Sequence, residues 1–221
     1  MRALCLAPHP DDLEVWMGGT LRLLREGGVD VRAVIATEGE CGTRQPVTGT
    51  RRDEQLVSFA GLGIEARFLG LPDGGLAGVA ELAQRLAEEV EAFAPTLVFG
   101  PHRADPHADH AALAAAVTEP CWRWLGWTKG LVATHFVDLG AAGGWQAKER
   151  LIRQHASQIP DTGESRAHLP LGLDILQRAQ QRDREAGRQV GVEFAEPFVL
   201  QSGGGVPRLV GNVGDLFGGR A

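Results

Sequence analysis

Ala7-Pro8-His9-Pro10-Asp11-Asp12-Leu13-Glu14 follows the apolar run Ala3-Leu4-Cys5-Leu6 and precedes Val15-Trp16-Met17-Gly18-Gly19-Thr20-Leu21. The first run reads as a buried strand and the second as the start of a helix. A histidine and two adjacent aspartates therefore occupy a strand-to-helix turn. In an open α/β sheet that turn lies at the carboxyl edge, where ligands bind. One of the two carboxylates can bind a metal while its neighbour, facing another way, handles a proton.

Outward from this turn, strand and helix alternate. Leu21 to Glu26 continues the first helix to a stop at Gly27-Gly28. Gly18 and Gly19 would weaken that helix unless another part of the chain comes close there. Val29 to Thr37 reads as a second buried strand and empties into the loop Glu38 to Thr43. Thr50, with Asp53 three positions on, resembles a capping box opening a helix to Leu62-Gly63. Ala66 to Gly70 is a third strand, ending in the loop Leu71-Pro72-Asp73-Gly74-Gly75, and Val79 to Phe93 is helical. Thr96 to Gly100 is a fourth strand; its loop delivers His107-Ala108-Asp109-His110 to a helix over Ala111 to Val117. A fifth strand over Leu131 to Val137, helices over Gln146 to Ser157 and Leu171 to Ala186, and an extended Val192 to Leu200 complete the reading. The Gly/Pro-rich tail after about residue 200 is expected to be loosely ordered. The pattern predicts one α/β domain, a three-layer Rossmann-like fold with a mostly parallel sheet. With strand order 3-2-1-4-5, strands 1 and 4 are neighbours at the switch point, and the two histidine-bearing loops share a crevice.

The 221 residues suffice for one large core, and the net charge of −6 argues against nucleic acid or an anionic membrane as partner. No apolar run approaches the roughly 20 residues of a membrane helix. Three scattered cysteines form no disulfide framework, so a reducing cytoplasm is expected. There is no tyrosine, which excludes any step that needs a phenol.

His107 and His110 are three apart and share a helix face. With His9 and Asp12, either of them completes a two-histidine, one-carboxylate set with an open position. That set suits catalytic zinc, and also ferrous iron. The blander alternatives are a surface HxxH and a simple N-cap pair at Asp11-Asp12. Against rival classes, only one tight cluster is visible where a phosphoesterase would need two metals, and neither G-x-G-x-x-G after the first strand, a P-loop nor G-x-S-x-G is present.

Together these motifs resemble the LmbE/PIG-L family of zinc-dependent N-acetylglucosaminyl deacetylases. The resemblance runs through Pro8 to Glu14, Thr37 to Gly42, Arg51 to Glu54, Leu62-Gly63, Pro72 to Leu76, His107 to His110, Lys148 to Gln158 and Ala195 to Phe198. It implies His9, Asp12 and His110 as ligands of Zn²⁺, or of Fe²⁺. It implies Asp11 as general base, His107 as second catalytic group, and Arg51 and Asp73 as sugar contacts. The implied reaction is hydrolysis of an acetamide on an N-acetylglucosamine conjugate. The malate conjugate of bacillithiol synthesis, chitobiose-type and thiol-conjugate amide substrates all stay open. A small N-acetylated amino sugar is thus the expected partner, and a homotrimer or hexamer the expected assembly. Ala108 replaces the usual proline of the histidine motif, and Cys41 stands where a small residue is usual, most simply as a packed side chain.

Among further residues, Asp109 is read either as orienting one of the site histidines or as a first-turn helix carboxylate. Glu14 is expected to tether the turn to backbone. His155 is a weaker candidate for the pocket; His102 and Arg103, in the site loop, are candidates for substrate contact. His135 is expected to be packed, and His168 gives no signal. Cys121-Trp122-Arg123-Trp124-Leu125-Gly126-Trp127 is read as an interface or a cap over the pocket, with scattered core packing as the rival.

Overall fold

The computed structural model describes residues 1–42, 49–118, 120–128, 130, 132–140, 143–160, 173–200 and 208–210. Thr43, His168, Leu171 and most of the tail lie outside the described residues. Strands β1 (Arg2–Ala7), β2 (Asp30–Thr37), β3 (Glu65–Leu71) and β4 (Leu97–Pro101) alternate with helices α1 (Asp12–Glu26), α2 (Thr50–Ala60) and α3 (Leu82–Phe93). Next come α4 (Ala108–Ala116), β5 (Trp122–Trp124), β6 (His135–Asp138), α5 (Gly144–Ile152), α6 (Ile175–Val190), β7 (Ala195–Leu200) and β8 (Arg208–Val210). The sheet order is β3-β2-β1-β4-β5-β7-β6-β8. Strands β1 to β5 are parallel, β7 runs antiparallel to both β5 and β6, and β8 is parallel to β6. The expected α/β class and the order 3-2-1-4 of the first four strands are present, but the strand expected beside β4 is β6, which β5 and β7 separate from it.

Strand β1 is central because it is apolar on both faces. Ala3, Cys5 and Ala7 pack into the core with Leu21 and Leu24 of α1, whereas Leu4 and Leu6 face the side of Leu86 of α3 and Leu113 of α4. Successive side chains of a strand point to opposite faces, so one strand anchors both helix layers.

The glycines of α1 have a packing reason. A Cβ on Gly19 would fall 2.3 Å from Leu139 Cδ2, and one on Gly18 would fall 3.2 Å from Lys148 Cγ of α5. The helix is also kinked: Met17 has φ −148° and ψ 23°. Beyond the kink the freed donors are taken by Glu196 of β7, which accepts from Gly19 N at 2.9 Å and Thr20 N at 2.7 Å.

Three local expectations change. Thr50 is the first helical residue of α2 and Gly49 is its cap, with no side-chain capping bond. The strand expected over Leu131 to Val137 is present as β6, His135–Asp138, with Leu131 outside the described residues, but Trp122–Trp124 forms a strand ahead of it that was not expected. Trp122 and Trp124 are buried in the core, so the packing reading holds for these two, whereas Trp127 lines a cavity. Three residues are too short for periodicity to reveal a strand, and their pairing partner β7 lies about seventy residues away in the chain.

Candidate active site

All four loops at the carboxyl ends of β1 to β4 meet at one cavity of about 750 Å³. In the β1–α1 turn, His9 and Asp12 are buried and face each other, with His9 Nδ1 3.2 Å from Asp12 Oδ2. The main chain reinforces the turn, because His9 N donates to the same oxygen at 3.0 Å. From the start of α4, His110 sends Nε2 to 3.3 Å from Asp12 Oδ1. One ligand atom from each of His9, Asp12 and His110 lies within 4.8 Å of the others, and all three residues are buried. A second group, His9, His107 and Asp109, meets the same distance limit.

The surroundings separate the two groups. The far nitrogen of His9, Nε2, sits 3.1 Å from both Asp73 Oδ1 and Asp109 Oδ2. That of His110, Nδ1, sits 3.1 Å from Asp105 Oδ2. Each imidazole is thus held from behind by a carboxylate while its other nitrogen faces Asp12, the arrangement found behind metal-ligating histidines. Asp109 is committed to that supporting role, because it also accepts from Gly74 N at 2.7 Å and Leu76 N at 3.0 Å. The donor set therefore fits a divalent ion at His9, Asp12 and His110, with the cavity as the open side.

Charge placement agrees. Burial works against a charged His9, but hydrogen bonds to Asp109, Asp12 and Asp73 prevail and push its pKa up to about 12. His110 is likewise opposed by burial yet raised to about 9 by Asp12 and Asp105. Burial would raise Asp12, but His110 and His9 hold it well below the usual carboxylate range. The pocket is built to surround positive charge, which a metal would supply in place of protons.

Asp11 is set differently. It adopts φ +95°, a left-handed conformation that costs a non-glycine residue about 1–3 kcal/mol and persists only where its surroundings enforce it. Gln55 accepts from its backbone N at 3.0 Å, and Arg51 Nη2 donates to its Oδ2 at 3.1 Å. Burial pushes the Asp11 carboxyl up, against the pull of Arg51. Arg51 is itself buried, with further bonds to Pro10 O at 2.6 Å and Gly39 O at 3.3 Å. Its guanidinium needs Gly39 and Gly42 beside it, since a Cβ on either would fall 2.8 Å or 2.0 Å from Nη1.

His107, the cap residue of α4, is exposed at the cavity and lies with its ring centre 4.7 Å from that of His110 and 4.9 Å from that of His9. Burial and the neighbouring histidine charges lower its pKa. Thus the structure brings together His9, Asp11, Asp12, Arg51, Asp73, His107 and His110. It leaves His102 and Arg103 off the cavity: His102 Nδ1 accepts from Ala104 N, and Arg103 reaches Val117 O. His155 is fully buried behind the turn, with Nε2 3.2 Å from Glu14 Oε1. Glu14 therefore pairs with side chains, His155 and Gln55, rather than with backbone. His135 packs edge-on against Trp122 at 4.7 Å, as expected. Cys41 is not packed away. It is exposed at the cavity, its N donating to Asp73 Oδ2 at 2.8 Å and its thiol meeting Asp73 O at 3.4 Å.

Residues 4–121, from β1 to the edge of β5 and so through all four site loops, match the family model described as PIG-L, GlcNAc-PI de-N-acetylase. The chain belongs to the PIG-L family. Its similarity to the diacetylchitobiose deacetylase of Thermococcus kodakarensis is 26% identity over 191 residues, covering 72% of this chain and 71% of the relative. With a probable N-acetyl-α-D-glucosaminyl L-malate deacetylase of Bacillus cereus it shares 30% identity over 129 residues, covering 52% of this chain and 58% of the relative. A crystal structure of a conserved protein from Thermus thermophilus superposes with a TM-score of 0.74 at 29% identity, over 94% of this chain and 96% of that one. Within this PIG-L chain, sequence reading offered Trp127 as part of a cap over the pocket, which its place on the cavity bears out, and missed Asp105, Gln55 and Arg178. Asp105 stands beside Pro106 just ahead of the histidine motif, the only signal for it; the other two come from α2 and α6, which the fold alone brings in.

Proposed function

We propose that this protein is a hydrolase that removes the acetyl group from an N-acetylglucosamine conjugate, with Zn²⁺ or Fe²⁺ held by His9, Asp12 and His110. The observation that carries the reading is the pair of imidazoles, each braced by a carboxylate, that share Asp12 at the floor of an open cavity. A bound divalent ion supplies Lewis acidity, which lowers the pKa of a water from about 15.7 toward about 7 and polarises a carbonyl.

The chain's own groups do the rest. Asp11, fixed by Arg51 and Gln55 at the cavity wall, accepts the proton of the attacking water. A protonated His107, on the exposed rim, hydrogen-bonds the oxygen that gains negative charge as water adds to the acetamide. When the C–N bond breaks, the amine takes a proton from Asp11 or His107, and acetate and the free amino sugar leave. Asp73 and Arg51 are proposed to face the sugar. The two curated relatives support small glycoconjugates as substrates, of the glucosaminyl-malate or chitobiose type. No described helix is long and apolar enough to cross a membrane. We propose a cytoplasmic homo-oligomer, a trimer or hexamer. Metal analysis combined with acetate release over a panel of N-acetylglucosamine conjugates tests the reading. One ion per chain with metal-dependent acetate release is expected; release that persists at full rate in metal-free protein would overturn it.

A further inference from the structure

We propose that Arg178 forms an anion subsite in the cavity that selects N-acetylglucosamine conjugates whose aglycone carries a carboxylate or phosphate. The inference rests on the deacetylase reading above and names the substrate class of the same site. Arg178 lies on the first turn of α6, half-buried, and lines the cavity that also holds His9, Asp11 and His110. Its guanidinium carbon stands 4.2 Å over the ring of Trp127. The stack fixes the plane of the fork and leaves its edge free for bidentate contact with an anion.

The other arginines nearby are already committed. The two terminal nitrogens of Arg51 are taken by Asp11 and two carbonyls. Arg182, which covers Trp16, is bound to Asp183 and to Val15 O. Arg178 is different: only its Nε has an acceptor among the described residues, Asp174 O at 3.4 Å. Its two terminal nitrogens meet no carboxylate or carbonyl among those residues. A guanidinium stays charged at any working pH, so a half-buried one without a partner favours an anionic ligand. Val15, Trp16 and Ile175 line the same cavity and strip water from such a contact. Arg178 thus offers an anionic aglycone its own partner at the wall of the cavity, which leaves the acetamide as the group facing Asp11.

The test compares kcat/KM for acetate release by the Zn²⁺-loaded wild type, Arg178→Gln and Arg178→Lys. Four substrates are used: N-acetylglucosaminyl malate, N-acetylglucosamine 1-phosphate, methyl N-acetylglucosaminide and N,N'-diacetylchitobiose. Calorimetric binding of the same compounds is measured in parallel. Wild type should prefer one or both anionic conjugates. Arg178→Gln should lower the ratio of anionic to neutral kcat/KM by about 10- to 100-fold, mainly through KM, with Arg178→Lys in between. Whether the malate or the phosphate arm responds identifies the anion. An unchanged ratio, or an equal loss on all four compounds as a merely structural role would give, overturns the proposal. If no compound releases acetate but the anionic ones bind through Arg178, the subsite stands and the deacetylase reading falls; if binding too is indifferent to Arg178, the subsite falls.

Discussion

Between β3 and β4 the strands are parallel, and each loop at their carboxyl ends brings a group to the cavity: His9, Asp11 and Asp12 after β1, Arg51 beyond β2, Asp73 after β3, His107 and His110 after β4. Between β5 and β8 the sheet is mixed, with β7 antiparallel to both its neighbours, and the contribution is a wall: Trp127, Ile175 and Arg178 on the cavity side, and a buried charge network behind it. In that network Lys148 Nζ donates to Asp183 Oδ2 at 2.7 Å and Glu196 Oε1 at 2.6 Å, all three side chains fully buried. Parallel strands aim successive loops at one edge, so they can assemble chemistry. The mixed half supports the kinked α1 and shapes what enters. On the proposed reading, reaction and selectivity are carried by different parts of one sheet.

The sharpest break of that division is Asp12→Ala. Asp12 is the group shared by both imidazoles, so the variant should lose its stoichiometric metal and fall to background acetate release, as read by metal analysis and a product assay. Next in size is Asp11→Asn. It should keep the metal but lose about 10²- to 10⁴-fold in kcat, the usual worth of a positioned base; full activity would remove Asp11 from that role. Asp105→Asn, which frees the back of His110, should weaken metal affinity or activity by about 10- to 100-fold. A chelator titration reads this directly. Smallest in effect on the chemistry, though large on the fold, is Lys148→Met. It leaves Glu196 buried without its cation and Asp183 with Arg182 alone, and should cost about 3–5 kcal/mol in denaturant unfolding, with metal stoichiometry intact below the transition. Metal loss in folded Lys148→Met protein would show that the wall and the floor are not separable.

The parallel half was legible in the sequence because its signals are local. An apolar run followed by His9-Pro10-Asp11-Asp12 gives strand, turn and chemistry within a dozen residues, and His107 to His110 shows helical spacing. The mixed half was not, because its determinants are distant in the chain. β5 is defined by pairing with β7, and Arg178 reaches the cavity only because α6 packs beside α1. Arg51 shows a subtler limit. Its presence at the site was readable, but its hydrogen bonds go to Asp11 and to carbonyls of two loops, which only a folded chain can reveal.

The central claim is a single divalent ion shared by two separate loops. An anomalous difference map, recorded at the absorption edge of the bound metal in crystals of the Zn²⁺- or Fe²⁺-loaded protein, tests it most directly. The account predicts one peak per chain, between His9 Nδ1, the Asp12 carboxylate and His110 Nε2. A peak at His107 and Asp109 instead, or none in protein that releases acetate, would contradict it.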